Sequence, residues 1–223
     1  MKSRYPFVIS IVLLTVFIPP TTGDVPVEEP VVLLTGFGPF ADFDTNPSQL
    51  IAEALNGEEI AGASVVGIIL PVDFEDAVAA IEQAIEDFDP DVVISFGLAA
   101  NRRLISIEKF GVNWKREPID EGGEKGRLDP DGPLLLVSTF PTRCIVKHIR
   151  KEGIPVRQSW SAGTYVCNAV LYGMLGYISE HDLDIEAGFI HVPLMSSQDP
   201  KGMELDTMME ATTIAIQLSL LEH

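Results

Sequence analysis

Basic residues are scarce in this sequence, and their scarcity excludes one class of partner. Lysine and arginine together number 15, against 33 aspartates and glutamates, so the formal net charge at pH 7 is −18. A protein that binds nucleic acid neutralises the phosphates with a basic face. We therefore predict an acidic protein with no nucleic-acid partner.

Cysteine is almost absent as well, since only Cys144 and Cys167 occur in 223 residues. Two thiols are too few for a disulfide scaffold. The alternatives are one bridge, one nucleophile beside a buried thiol, or two inert thiols. Cys144 and His148 stand one helical turn apart and could share a metal ion, but no further ligands accompany them. We therefore predict no metal site.

The sequence also lacks an apolar run of the roughly 20 residues that a comfortable membrane span needs. Its N-terminal run is shorter: Lys2 and Arg4 precede the mostly apolar residues 7–18, and proline and small residues follow. This order is typical of a secretory signal. We predict a signal peptide or N-terminal anchor over residues 1–23. The protein is then exported or attached to a membrane through residues 7–18, and it is cytoplasmic if this segment is not a signal.

After a linker over residues 24–30, short apolar runs alternate with amphipathic stretches, and we predict one domain over residues 31–223. Runs typical of buried strands cover residues 31–34, 65–70, 91–96, 134–137 and 188–192. The stretch Phe74–Phe88 carries apolar residues three and four positions apart, as one face of a helix does. We predict an α/β fold with three layers, α/β/α, around a mostly parallel twisted sheet. The functional site of such a sheet lies beyond the carboxyl ends of its strands.

Two residues at such positions could form a nucleophile and its base. Cys167 stands at the start of a predicted helix, where unpaired N–H groups and the helix dipole lower the pKa of a thiol. His191 ends an apolar strand, and a histidine is the usual base for a thiol. Each residue also has a simpler explanation: Cys167 could be a buried, inert cysteine, and His191 could be a hydrogen-bonded histidine of the core.

Four motifs, in order along residues 31–192, together resemble the pyroglutamyl peptidase (pyrrolidone-carboxylate peptidase) family of cysteine peptidases. They are T-G-F-G-P-F followed by N-P, G-L-A-A-N-R-R-L-I-S-I-E-K, S-A-G-T-Y-V-C-N and G-F-I-H-V-P. The resemblance implies hydrolysis of an N-terminal pyroglutamyl (5-oxoproline) residue from peptides, without a cofactor. Asn101 departs from the pattern, because a glycine is usual at its position.

The same resemblance implies a Cys–His–Glu triad. Cys167 stands at the position of the nucleophile, His191 at that of the general base and Glu108 at that of the third member, where a carboxylate would orient the imidazole and stabilise the imidazolium. The family also has an arginine near the reacting carbonyl. Arg116 matches it, in the role of stabilising the oxyanion, if one residue is deleted between Asn113 and Arg116, and its alternative is a surface arginine.

Aromatic residues are implied as the walls of the substrate site. Phe37, Phe40 and Tyr165 match the positions that surround the lactam ring of the substrate. An apolar slot with a few backbone hydrogen bonds would select this flat neutral ring and reject a charged N-terminal glutamate, because desolvation of its charge is costly. The alternative for the phenylalanines is packing in the core.

Two rival functions remain at this stage. One is a surface protein that binds pyroglutamyl peptides with impaired catalysis, for which the change at Asn101 and the displaced match of Arg116 leave room, although the intact cysteine, histidine and glutamate favour the peptidase. The other is a hydrolase of different acyl groups on the same fold. The sequence leaves the oligomeric state open, and a homo-oligomer is among the alternatives.

Overall fold

The computed structural model describes residues 29–117 and 123–221. The predicted signal or anchor, the attachment through residues 7–18 and most of the predicted linker lie outside these residues and stay predictions. Within the described part of the chain, no helix is long and apolar enough to cross a membrane.

A seven-stranded sheet forms the middle layer, with the strand order β10-β5-β11-β4-β1-β3-β2. Its strands are β1 (Val31–Phe37), β2 (Glu59–Ile60), β3 (Ala63–Leu70), β4 (Val92–Leu98), β5 (Ile105–Glu108), β10 (Val156–Ser159) and β11 (Glu186–Val192). Two short antiparallel pairs lie outside it, β6 (Phe110–Val112) with β9 (Leu135–Val137) and β7 (Lys115–Arg116) with β8 (Lys125–Gly126).

Helices cover both faces of this sheet, as a buried parallel sheet requires. They are α1 (Pro47–Leu55), α2 (Phe74–Phe88), α3 (Thr142–Lys151), α4 (Val166–Glu180) and α5 (Leu205–Ser219). The apolar residues of α1, α3 and α5 share one core with the sheet, and those of α2 and α4 share a second core on the opposite face. The predicted three-layer α/β fold is thereby confirmed.

Local sequence explains where the helices begin. Asn46 caps α1, because its Oδ1 accepts the backbone N–H of Ser48 at 3.0 Å, and Pro47 occupies the first turn. Asp73 caps α2 by accepting two backbone N–H groups. Helix α4 begins without a side-chain cap bond from its N-cap residue, Tyr165.

Two strands differ from the prediction. Residues 134–137 were expected to join the main sheet, but β9 pairs with β6 outside it. Conversely, β5 was not predicted as a strand, and it lies in the sheet between β10 and β11. Pairing is parallel between β1 and β3, β1 and β4, β4 and β11, and β5 and β10, whereas β5 runs antiparallel to β11. This antiparallel pair brings Glu108 close to His191.

Candidate active site

The register of strands β5, β11 and β4 places the candidate residues on one face of the sheet. Glu108 on β5 lies opposite Phe189 on β11, and His191 lies two residues further along β11. Side chains two residues apart on a strand point to the same face, and such diagonal neighbours are within reach of one another. Gly97 on β4 lies beside His191 on the other side. Helix α4, which carries Cys167, covers this face.

Glu108 is fully buried, and its carboxylate contacts the side chains of His191 and Arg102. Its Oε1 lies 2.8 Å from Nδ1 of His191 and also accepts a hydrogen bond from Nη1 of Arg102. The second guanidinium nitrogen of Arg102 donates to the backbone carbonyl of Ser161 at 3.2 Å. Burial acts to raise the pKa of Glu108, but the hydrogen bonds and charges of its neighbours, His191 first among them, outweigh it, so this pKa is lowered. Glu108 is therefore ionised at neutral pH, and the Nδ1–H of His191 donates to it.

The electrostatics of the thiol differ from the expectation. The helix N-terminus was expected to lower the pKa of Cys167, but burial of the side chain raises it to about 12, and the charge of Glu108 acts in the same direction. Burial also lowers the pKa of His191, although Glu108 opposes this effect. The free protein therefore holds a neutral thiol and a neutral imidazole rather than an ion pair.

Cys167 and His191 line the same cavity, whose volume is about 250 Å³. The predicted aromatic residues Phe37, Phe40 and Tyr165 line it as well. Phe37 is only 3% exposed and packs in the core as well as lining the cavity, and its role in binding a substrate stays a prediction. Tyr165 packs edge-on against Phe74 with the ring centroids 5.3 Å apart.

Arg116 is not among the residues that line this cavity. Its side chain is exposed on β7, and only its backbone N–H approaches the site, donating to the carbonyl of Thr164 at 2.8 Å. Arg102 lines the cavity instead. Sequence reasoning passed over Arg102 although it stands inside the quoted G-L-A-A-N-R-R motif, and a pair of adjacent arginines gives no sign that one is held against a buried carboxylate.

Two asparagines also contribute to the site without having been predicted for it. Asn46, which was explained as a helix cap, lines the cavity and donates from Nδ2 to the carbonyl of Gly38 at 3.0 Å. Asn168 is fully buried beside Cys167, and its side chain bonds both backbone groups of Val112 and the carbonyl of Trp114. These bonds fix the first turn of α4 against the segment that follows β5.

Cys144 lies away from the cavity on α3. Both cysteines are free, so the structure contains no bridge between them. The sulfur of Cys144 lies 3.5 Å from Nδ1 of His148. Across residues 29–117 and 123–221, no group of three or more potential ligands could hold a metal ion.

Comparison with known proteins decides the family. Residues 30–222 match the family model described as pyroglutamyl peptidase. The chain belongs to the pyroglutamyl peptidase family. Its similarity to the pyrrolidone-carboxylate peptidase of Bacillus licheniformis is 38% identity over 205 residues, which covers 86% of this chain and 93% of that protein. The corresponding protein of Mycobacterium marinum is 36% identical, with 85% of this chain and 86% of that protein covered.

Solved structures agree with this family assignment. The pyrrolidone carboxyl peptidase from Thermococcus litoralis superposes with a TM-score of 0.82 at 33% identity, covering 86% of this chain and 95% of that one. Pyroglutamyl peptidase I of Bacillus amyloliquefaciens gives a TM-score of 0.82 at 34% identity, covering 86% of this chain and 98% of that one. The predicted membership of a family of cysteine peptidases is confirmed.

The position of Gly97 yields a first prediction. A Cβ at this residue would lie 2.7 Å from Sγ of Cys167 and 2.9 Å from Cζ of Phe189. We expect Gly97→Ala to displace the sulfur and lower kcat/KM about 100-fold, since a shift of this kind misaligns the reacting groups. Gly126→Ala is the matched control, because nothing lies within 4 Å of its Cβ position. Wild-type turnover in a folded Gly97→Ala protein, checked by circular dichroism, would contradict the expected crowding.

The lowered pKa of His191 predicts how stability depends on pH. Above its usual pKa of 6.5 the imidazole is neutral in both the folded and the unfolded chain. Below 6.5 the unfolded chain binds a proton that the folded protein resists, so the free energy of unfolding falls as the pH falls. Glu108 adds a further loss of stability below its usual pKa of 4.5, because its pKa in the folded protein is lowered.

Urea unfolding between pH 7.5 and 5.5 measures this dependence on pH. We expect the loss of stability over this range to be smaller in His191→Gln than in the wild type, because the titrating imidazole is gone. His181→Gln, which removes an exposed histidine, is the matched control for loss of a histidine side chain. Equal slopes in all three proteins would show that His191 is not a buried neutral imidazole.

Proposed function

We propose that this protein is a cysteine exopeptidase that hydrolyses the N-terminal pyroglutamyl residue of peptides through Cys167, His191 and Glu108. The observation that supports this most strongly is the cavity that Cys167 and His191 share, together with the 2.8 Å contact of His191 with a fully buried carboxylate. A thiol, an imidazole and an orienting carboxylate are the parts that nucleophilic acyl transfer requires.

The cavity suits the pyroglutamyl ring as the acyl group. Phe37, Phe40 and Tyr165 provide apolar and aromatic surface, and the ring is flat and neutral with one N–H and one C=O. An apolar cavity that orients its ligand with a few polar groups is the usual form of a small-ligand site. A free N-terminal glutamate would carry charges into this surface and lose their hydration, so the same cavity disfavours it.

The chemistry begins from a neutral thiol and a neutral imidazole. As Sγ of Cys167 attacks the acyl carbon of the bound substrate, His191 takes the thiol proton, and Glu108 stabilises the imidazolium that forms. His191 then gives this proton to the leaving amine, and the carbon–nitrogen bond breaks. Water, with His191 again as base, next attacks the thioester, releases 5-oxoproline and restores the thiol.

Two features support stabilisation of the negative charge on the acyl oxygen. Helix α4 begins at Val166 without a capping side chain, so its first-turn N–H groups beside Cys167 are suited to donate hydrogen bonds to an oxyanion. Arg102 adds a positive charge at the cavity, held in place by Glu108 and by the carbonyl of Ser161. We assign to Arg102 the part that the sequence suggested for Arg116.

A binding protein without catalysis is the rival function. Such a protein would need the cavity but not the contact between His191 and the buried Glu108. Burying a carboxylate is costly unless it has close partners, so binding alone gives no reason for this contact. The presence of these residues together with Cys167 favours the peptidase. Binding of a pyroglutamyl peptide without its hydrolysis is the outcome that would favour the rival.

Turnover of a pyroglutamyl anilide under reducing conditions tests this function. We expect wild-type protein to release the aniline and Cys167→Ser to lose this turnover, because a hydroxyl is a much weaker nucleophile than a thiol at this site. Cys144→Ser is the matched control and should retain activity, since Cys144 lies outside the cavity. Full activity in Cys167→Ser would refute the assignment of the nucleophile.

A second pair of variants separates the two arginines. We expect Arg102→Met to lower kcat/KM about 100-fold, the loss usual when one stabilising group of an oxyanion site is removed. Arg116→Met should stay close to the wild type, because only the backbone of Arg116 approaches the site. Steady-state kinetics with the same anilide give kcat/KM for both variants. A larger loss of kcat/KM in Arg116→Met than in Arg102→Met would assign stabilisation of the oxyanion to Arg116.

A further inference from the structure

The loop that follows β11 links two distant parts of the chain through one side chain. Gln198 accepts the backbone N–H of Met195 with Oε1 at 3.0 Å and donates from Nε2 to the carbonyl of Thr45 at 2.7 Å. The first bond closes the turn to which Gln198 belongs, and the second reaches a segment 153 positions away in the sequence. Neither bond involves a formal charge, so salt does not screen them.

Thr45 belongs to a segment that carries one wall of the cavity. We name residues 38–46 the Phe40 segment. At its end Asn46 donates from Nδ2 to the carbonyl of Gly38 at 3.0 Å, which ties the two ends of the segment together. Two side-chain hydrogen bonds therefore hold the Phe40 segment: one within it, from Asn46, and one from Gln198 in the loop after β11.

The Phe40 segment has little apolar packing of its own. Phe40 pairs with Phe43 through a backbone bridge and a ring contact of 5.9 Å, and both rings are only partly buried. Phe37 belongs to the core that α2 and α4 share, whereas Phe40 belongs to neither core. Ala41 also adopts a positive φ of 50°, a conformation that residues with a Cβ rarely adopt. Hydrogen bonds rather than core packing therefore hold this wall.

We propose that Gln198 is a positioning residue for substrate binding, which fixes the Phe40 segment as a wall of the acyl cavity. This inference rests on the proposed function, because the ring that Phe40 contacts is that of the substrate. The reacting groups lie on β5, β11 and α4, which Gln198 does not hold in place. Its loss therefore weakens binding of the acyl ring and leaves the chemical step unchanged.

A second side-chain contact of this loop, with Arg103, is weaker. Nη1 of Arg103 lies 3.4 Å from Oδ1 of Asp199, and both side chains are substantially exposed, by 55% and 30%. Exposed ion pairs of this kind contribute little. Gln198 is consequently the stronger of the two connections, and removing it alone is sufficient for a test.

The test compares Gln198→Met with Gln83→Met in the pyroglutamyl anilide assay. Methionine keeps the length of the side chain and removes its hydrogen bonds. Gln83 is an exposed residue of α2 that also loses one side-chain bond, to Asp87, so it controls for the substitution itself. We expect KM to rise about fivefold in Gln198→Met with kcat retained, as loss of one hydrogen bond implies. An unchanged KM, or a fall in kcat at constant KM, overturns the proposal.

A second variant separates the two bonds of Gln198. In Gln198→Glu the carboxylate still accepts the N–H of Met195 but cannot donate to Thr45. We expect its KM to rise as in Gln198→Met. A wild-type KM in Gln198→Glu would assign the effect to the turn rather than to the Phe40 segment, and so overturn the proposal.

Hydrogen exchange supplies a readout that does not need turnover. We expect amides of residues 38–46 to exchange faster in Gln198→Met and Gln198→Glu than in the wild type, and not in Gln83→Met. Unchanged exchange in this segment refutes the positioning role even if KM changes. A wild-type protein that fails to cleave the anilide refutes the proposed function instead, and the exchange result still decides whether Gln198 fixes the segment.

Discussion

The buried carboxylate of Glu108 is the group on which the rest of the site depends. A carboxylate without exposure stays ionised only where charged or polar groups approach it closely. Here one oxygen of Glu108 meets the imidazole of His191 and the guanidinium of Arg102. The carboxylate thereby fixes which nitrogen of His191 carries the proton and leaves the other nitrogen to serve as a base. The same contacts hold Arg102 at the cavity.

The sheet supplies these contacts where the strand direction changes between β11 and β5. Strand β5 runs antiparallel to β11, and their register puts Glu108 diagonal to His191 on the face covered by α4. On the other side of β11, Gly97 of β4 has no side chain and leaves the space that the sulfur of Cys167 occupies. The positions of carboxylate, imidazole and thiol therefore follow from strand register and from one absent Cβ, whereas the cavity wall at Phe40 and the positions of Arg102 and Thr164 depend on loops.

Much of this arrangement could be predicted from the sequence, and the failures have physical causes. Strand and helix periodicity gives the three layers, because those patterns record burial on one or both faces. Glu108 could not be chosen among 33 acidic residues without the family resemblance, since nothing local in I-S-I-E-K reveals that the residue is buried. Arg102 was passed over for the same reason. The pKa of Cys167 was expected to fall because the helix start is visible in the sequence, whereas the burial that raises it depends on tertiary packing.

The raised pKa of Cys167 also bears on the predicted export of the protein. An exported thiol enzyme meets oxidising conditions, and oxidation proceeds through the thiolate. With its pKa raised to about 12, Cys167 carries almost no thiolate at neutral pH, and in the proposed mechanism the thiol loses its proton to His191 only as it attacks the substrate. The second thiol, Cys144, lies on α3, away from the cavity, so a bridge between the two would require the chain to rearrange. A neutral, partly exposed thiol as the proposed nucleophile is thus compatible with a secretory signal, whereas a preformed thiolate–imidazolium pair would be oxidised more readily.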